Sequence, residues 1–226
     1  MLSTILLSLK IAFIATFITF ILGTAISYLL IKKDFIGKAQ LETLLTLPMV
    51  LPPSVVGYGL LILFGRSGFI GKRLYDYFGV QIVFTAAGAV IAATIVSLPL
   101  MVQSVKAAFS NVDPVYERVA ESLGSGKLKV FLTVTLPLSW TGIVGGVMLA
   151  FARALGEFGA TLMIAGNIPG KTQTIPLAIY FAVETGDYIT ANQLMLFMIL
   201  FSFFIIGVTN HWVKKKHYIE MMRAEK

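Results

Sequence analysis

No cysteine occurs among the 226 residues, which excludes disulfides, thiolate metal ligands and a thiol nucleophile. Histidine is nearly as scarce. His211 and His217, both at the C-terminal edge, lack the companions of a metal site and read as interfacial side chains. With no histidine in the interior of an apolar run, His211 standing only at the end of the last one, no nucleophile, base and orienting group fall together, so a membrane-embedded hydrolase has no support. The chain also lacks a G-x-x-x-x-G-K-[ST] loop, so nothing in it hydrolyses ATP. No period of about 20 to 50 residues recurs, which leaves solenoids and duplicated transporters unsupported. No catalytic residue, metal site or cofactor is expected.

Charge is thin as well, at 13% of residues, while 57% are hydrophobic. Mean hydropathy is +0.87, far above that of soluble domains. A membrane-spanning helix needs about 20 mainly apolar residues, and such runs lie near 10–31, 41–64, 82–109, 134–165 and 194–213. The expectation is an all-α, polytopic membrane bundle of about five transmembrane helices, forming one domain over residues 1–226. The first run exceeds the apolar stretch of about 7 to 15 residues found in signal peptides, and no small-residue cleavage site follows it, so it reads as a retained span. Lys10 within it is expected to snorkel to the interface.

A net charge of +7 needs no nucleic acid to explain it. Lys32, Lys33 and Lys38 follow the first run; Arg118, Lys127 and Lys129 lie between the third and fourth; Lys214, Lys215, Lys216, Arg223 and Lys226 follow the fifth. These segments alternate correctly to be cytoplasmic, which puts the N-terminus outside and the C-terminus inside. The opposite side holds the smaller share, Arg66, Lys72, Arg73 and Lys171. The segment 65–79 there reads either as a positive mouth suited to an anion or as a solvated loop.

Three features inside the apolar runs bear on mechanism. Pro48, Pro52 and Pro53 interrupt the second run, each removing a backbone donor, so a broken helix is expected. With Ser54, Gly57 and Gly59 that break offers polar backbone and close helix approach, serving either a pathway or a packing kink. In the fourth run Arg153 and Glu157 stand four apart, sharing one face of a continuous helix and neutralising each other. Each charge costs about 2.5 to 3.5 kcal/mol at a bilayer centre, so the pair faces the interior, either fixing register or lining a route beside Gly159 and Thr161. The same run is small-faced, from Gly142 to Ala160, which suits a helix seam or dimer axis, with Phe197, Phe201, Phe203 and Phe204 of the fifth run nearer lipid. Outside the spans, residues 175–183 are apolar but too short to cross and read as interfacial or re-entrant.

Between the third and fourth runs lies the most informative stretch, 116–137. Asp113 and Pro114 start a helix, with Asp at the cap, Pro at the first position and Glu117 in the first turn; Gly124 ends it. Thr135-Leu-Pro-Leu138 then re-enters the apolar region without a slack linker. The stretch resembles the cytoplasmic coupling loop of bacterial ABC-importer permeases, whose pattern reads E-A-A, three residues, G, nine residues, I-x-L-P. Gly124, Val134, Leu136 and Pro137 keep that spacing, while Arg118, Val119 and Ala120 occupy the first three places, so the pattern's glutamate is replaced and Glu117 and Glu121 flank the gap. Residues 51–60, 65–71, 151–161, 167–170 and 174–176 extend the likeness from about 5 to 213, and are most similar to the molybdate permease subunits, with sulfate and tungstate permeases as near relatives.

The resemblance implies a type I ABC-importer fold in the bacterial cytoplasmic membrane, a homodimer around one pathway, and two copies of a separate ATP-binding subunit. It also implies an extracytoplasmic binding protein that delivers an oxyanion, molybdate first and sulfate or tungstate as alternatives. Within it, the helix at about 113–125 docks on the ATPase, through Glu117, Arg118, Ala120, Glu121 and Gly124, with Leu136 and Pro137 carrying motion inward. Pro52, Pro53, Ser54, Gly57, Arg153, Glu157, Gly159 and Thr161 are the pathway or gate candidates. A carrier driven by an ion gradient is the other reading; it accounts for broken spans and buried charges but leaves the loop unexplained.

Overall fold

Helices that bury small and hydroxyl side chains while turning their large apolar ones outward are built for lipid, since bilayer and large side chains are equally apolar and the bundle is held by close packing and interhelical hydrogen bonds. That inversion runs along α1, Leu2–Lys32. Its buried face carries Ser8, Thr16, Thr19, Gly23 and Ser27, whereas Phe13 and Phe17 are exposed. The computed structural model describes residues 1–224, with side chains described through Thr209. His211, His217, Lys214, Lys215, Lys216 and Arg223 therefore fall outside the described side chains, and Lys226 outside the described residues. Among the described residues there is no β-strand.

After α1 come α2 (Lys38–Val50), α3 (Pro53–Phe64), α4 (Phe69–Phe78), α5 (Ala86–Ser110) and α6 (Pro114–Ser122). A short helix α7 (Lys127–Val130) runs through a π-helical turn (Phe131–Thr135) into α8 (Leu136–Leu138), followed by α9 (Trp140–Leu155), α10 (Gly159–Ala165), α11 (Ile175–Glu184) and α12 (Tyr188–Ala224). Helix α1, helix α5 and the Tyr188–Thr209 part of α12 are long and apolar enough to cross a membrane. Two bent pairs bring the number to five if each is one span: α2 with α3 at 117°, and Lys127–Leu138 with α9 at 73°. The chain divides into two compact units, Leu2–Leu177 and the residues from Ala178 onward.

In the first unit α5 is the central helix, packed by α1 and α9. Thr19 and Ser97 share a hydroxyl hydrogen bond at 3.2 Å, and Ser27 Oγ donates to the Val102 carbonyl at 3.0 Å. Ser8 accepts from the Ile175 N–H at 2.8 Å, which staples the first turn of α11 onto α1. Met101, Val105, Phe109, Ile143 and Ala150 form the apolar core of the α5–α9 seam. In the second unit Phe197 and Phe201 stack at 5.6 Å, and Phe203 and Phe204 are exposed.

The fourth apolar run is not the continuous helix expected from 134–165. It is interrupted at Ser139 and again between Leu155 and Gly159. Pro137 explains the first interruption. It has no N–H for the carbonyl four residues back, so the ladder slips and the Leu136 N–H reaches five residues back to the Phe131 oxygen.

The seam of α9 with α5 makes a testable distinction between two glycines. A Cβ on Gly142 would lie 2.5 Å from the Ala108 Cβ, whereas one on Gly145 meets nothing within 4 Å. Gly142→Val should destabilise the detergent-solubilised protein by about 1–3 kcal/mol, seen as a lower melting temperature, and Gly145→Val should leave it near wild type. Equal losses in both would contradict this packing.

Candidate functional site

Helix α6 is capped at both ends by groups of its own loop. Asp113 Oδ1 accepts the Val115 N–H at 2.8 Å, and Pro114 sits at the first helical position. At the other end Gly124 takes φ +84°, a left-handed conformation that glycine adopts without a Cβ clash. The Ser125 N–H returns to the Ala120 carbonyl at 3.2 Å and the Gly124 N–H to Glu121 at 2.9 Å, the paired closure of a Schellman motif. The helix is thus fixed in length although none of its residues is buried.

Its two faces differ in chemistry and direction. Val115, Tyr116, Val119 and Leu123 fall on one arc at helical spacing and all are exposed, Leu123 at 82%. Glu117 lies on the other arc and turns inward. Its Oε2 pairs with Lys32 at the end of α1, and its Oε1 accepts from Thr135 Oγ1 at 2.5 Å. Burial pushes the carboxyl upward, but the hydrogen bonds from Lys32 and Thr135 and the Lys32 charge outweigh it, leaving Glu117 below the ordinary 4.5. A depressed carboxylate stabilises the fold above that value, and the contribution is lost as pH falls through the lowered one. Arg118 and Glu121 are exposed and Ala120 is half-buried. Leu136 and Pro137 stand in the re-entry segment, at the turn where the ladder slips.

The pathway candidates gather where the two helix breaks meet. Pro52 caps α3 in an extended conformation and Pro53 is its first residue. Helix α10 then packs across α3 so closely that a Cβ on Gly57 would lie 2.6 Å from the Ala160 Cα and 2.8 Å from its carbonyl oxygen. One on Gly159 would lie 3.2 Å from Pro53 Cβ and 3.3 Å from the Ser54 nitrogen. Thr161 is buried at 1% exposure and Ser54 is exposed.

Arg153 and Glu157 meet, but not on one helix face. Helix α9 ends at Leu155, which leaves Glu157 in the break. There its Oε1 accepts the Ala160 N–H at 2.7 Å, serving one of the unpaired donors that open α10. Arg153 Nη1 approaches Oε2 at 2.7 Å, an ion contact without hydrogen-bond alignment. Glu157 is 2% exposed. The spacing of four is real, while its helical explanation is replaced by a chain turn that lets one carboxylate serve both a cation and a helix start. In the segment 65–79, Arg66 lies over the Tyr75 ring at 4.4 Å and Arg73 over Phe69 at 3.8 Å, so both guanidinium groups are engaged by neighbouring rings.

Residues 20–216 match the family of binding-protein-dependent transport system inner membrane components. The chain belongs to that family. As a member of these permeases it is a multi-pass inner-membrane transport component, and such components work with an ATP-binding subunit and a substrate-binding protein. It is 50% identical over 181 residues to the molybdenum transport system permease protein ModB of Escherichia coli, covering 80% of this chain and 79% of that one. To ModB of Haemophilus influenzae it is 42% identical over 215 residues, covering 95% and 93%. The fold is that of a chain of the inward-facing MetNI methionine ABC transporter, with a TM-score of 0.72 at 14% identity, covering 94% of each. Membership of a binding-protein-dependent family leaves the ion-gradient carrier unsupported.

Lys32 and Thr135 were not among the sequence candidates. Lys32 counted only as an orientation charge, and no local spacing links it to Glu117, which lies 85 residues on. The break itself yields a measurable consequence. Glu157→Leu removes the partner of Arg153 and the acceptor of Ala160, and should cost about 3 kcal/mol in thermal unfolding. Replacing both residues, Arg153→Met with Glu157→Leu, should recover part of that loss; a double variant no better than the single would show that the pair is not the source.

Proposed function

We propose that the chain, working as one permease domain over residues 1–226, is the membrane-spanning subunit of an ATP-driven molybdate importer. It receives the oxyanion from an extracytoplasmic binding protein and passes it through a pathway shared by two copies of the chain. The observation that carries this reading is α6, a rigidly capped helix that turns its apolar arc away from its own chain. An exposed apolar arc of this kind calls for a partner groove, and a groove in each of two ATP-binding subunits meets that need. The substrate is supported by the likeness to the two molybdenum permeases. The charge distribution supports a cytoplasmic α6, with the N-terminus outside and the C-terminus inside.

Pro52, Pro53, Ser54, Gly57, Arg153, Glu157, Gly159 and Thr161 are the proposed pathway or gate. Their support is that two backbone breaks and one ion pair lie together, which offers polar groups inside an apolar bundle. A pathway must hold a dianion weakly to release it, so selectivity belongs mainly to the delivering protein. Arg153 supplies the one positive charge of that group for a transient contact. In the proposed docking surface Arg118 and Ala120 flank the apolar arc, Glu121 stands on the far side of the helix with Glu117 and is exposed for a polar contact, and Leu136 and Pro137 begin the path by which a push on α6 reaches α9.

Vesicles holding the chain, its ATPase and the binding protein should accumulate molybdate only with ATP. Uptake that persists without the ATPase would reject the reading, and stronger competition by sulfate than by tungstate would move the substrate to sulfate. Leu123→Asp should sharply reduce co-purification of the ATPase, because it places a charge on the apolar arc. Arg153→Ala should lower uptake more than Arg153→Lys by upwards of about tenfold, equal to about 1.4 kcal/mol in a barrier; near-normal uptake in both would make Arg153 a bystander.

A further inference from the structure

Glu117 faces the wrong way for a docking contact. Its carboxylate is held at both oxygens by its own chain, by Lys32 Nζ and by Thr135 Oγ1. Lys32 is the last residue of α1 and Thr135 the last of the π-helical turn. These partners stand 85 and 18 residues away, so one side chain joins three segments that the backbone connects only by long routes. Beneath the carboxylate, the Phe131 ring lies 4.4 Å from Tyr28 and 5.7 Å from Phe109, which ties the π-helical turn to α1 and α5. Beside it is a cavity of about 250 Å³ whose lining includes Lys33, Glu121 and Lys127. No residue of α6 is fully buried, although the helix lies against the π-helical turn and α7, so little apolar burial holds it and the carboxylate is its specific polar tie to α1 and the turn. The pair is sheltered, with the Glu117 side chain 17% exposed and that of Lys32 34%, and screening by salt is weaker there than at a free surface.

We infer that Glu117 is a positioning residue: it clamps α6 to the end of α1 and to the π-helical turn, so that one displacement of the loop helix reaches α1 and α9 together. This inference rests on the ATP-driven reading above and refines it. Docking belongs to the outward apolar arc, and Glu117 acts within the chain, converting a docked helix into a coupled one. The π-helical turn is the compliant element at the receiving end, since its ladder has already slipped by one residue.

The test uses the whole complex in vesicles and reads three quantities: ATPase retained on purification, ATP hydrolysed, and molybdate taken up per ATP. In Glu117→Gln the ATPase should be retained as in wild type, hydrolysis should continue, and uptake per ATP should fall by at least about fivefold, the low end of coupling between sites. Lys32→Met should behave alike, and Thr135→Val more mildly. The exchange Lys32→Glu with Glu117→Lys should restore uptake per ATP, which a merely destabilised loop would not do. Loss of the ATPase in Glu117→Gln would overturn the inference by making Glu117 a direct docking contact, and unchanged uptake per ATP would overturn it by making the clamp idle. Failure of the ATP-driven reading looks different, because wild type itself would then take up molybdate without hydrolysis, and both readings would fall together.

Discussion

The close backbone approach of α3 to α10 is the contact on which the interior of this bundle depends. A helix that breaks inside an apolar region leaves N–H and C=O groups that only protein or trapped water can satisfy. This chain breaks two helices and sets the breaks against each other. The approach needs Gly57 and Gly159, since a side chain at Gly57 would run into the Ala160 backbone. It needs Glu157 as well, whose carboxylate occupies the gap between α9 and α10 and serves the Ala160 N–H and Arg153 together. A buried carboxylate without those two partners would be expelled or neutralised.

Lipid imposes the complementary constraint on the outside. Because large apolar side chains gain little by leaving a bilayer for a protein interior, α1 buries mainly glycine, alanine, serine and threonine and leaves Phe13 and Phe17 exposed, while α9 brings Gly146 and Ala150 as well as Ile143 to the α5 seam. The hydroxyls are not idle in that seam. Thr19 with Ser97, and Ser27 with the Val102 carbonyl, place short hydrogen-bonded links at two heights along the α1–α5 contact, which set the register of two helices that size alone would leave free to slide.

How far this was legible in the residues depends on the range of the interaction. Length and apolarity located the spans, and the cap, proline and glycine of α6 marked its ends to within a residue, because each acts within one turn of chain. The break at Pro52 and Pro53 was equally local, whereas Pro48, read with them as an interruption, lies inside α2 (Lys38–Val50). The fourth run misled: a stretch of small and apolar residues without an internal proline near 156 reads as one helix, yet it stops at Leu155. The halt rests on Glu157 satisfying a new helix start and on α3 lying where glycine permits it, and both are tertiary facts. Lys32 escaped for the same reason, since a partner 85 residues distant leaves no trace in spacing.

The polar contacts of the two candidate regions solve one problem in the same way. At the break, Glu157 gives one oxygen to a cation and the other to the start of a helix; at the loop, Glu117 gives one oxygen to a cation and the other to the last residue of a π-helical turn. In each case a single carboxylate fixes an interruption of helix geometry to a neighbouring segment. Regular helices transmit displacement along their axes because their hydrogen bonds are complete. An interruption transmits only if something spans it. Helix α9, sixteen residues long, lies between the bend at Ser139, which follows the π-helical turn and α8, and the break at Gly156, so it separates the Glu117 region from the Glu157 region. In the coupling proposed for this chain, α9 is the element through which a push on α6 would reach the interior break, and the two carboxylates are the contacts that tie its neighbouring interruptions to other segments.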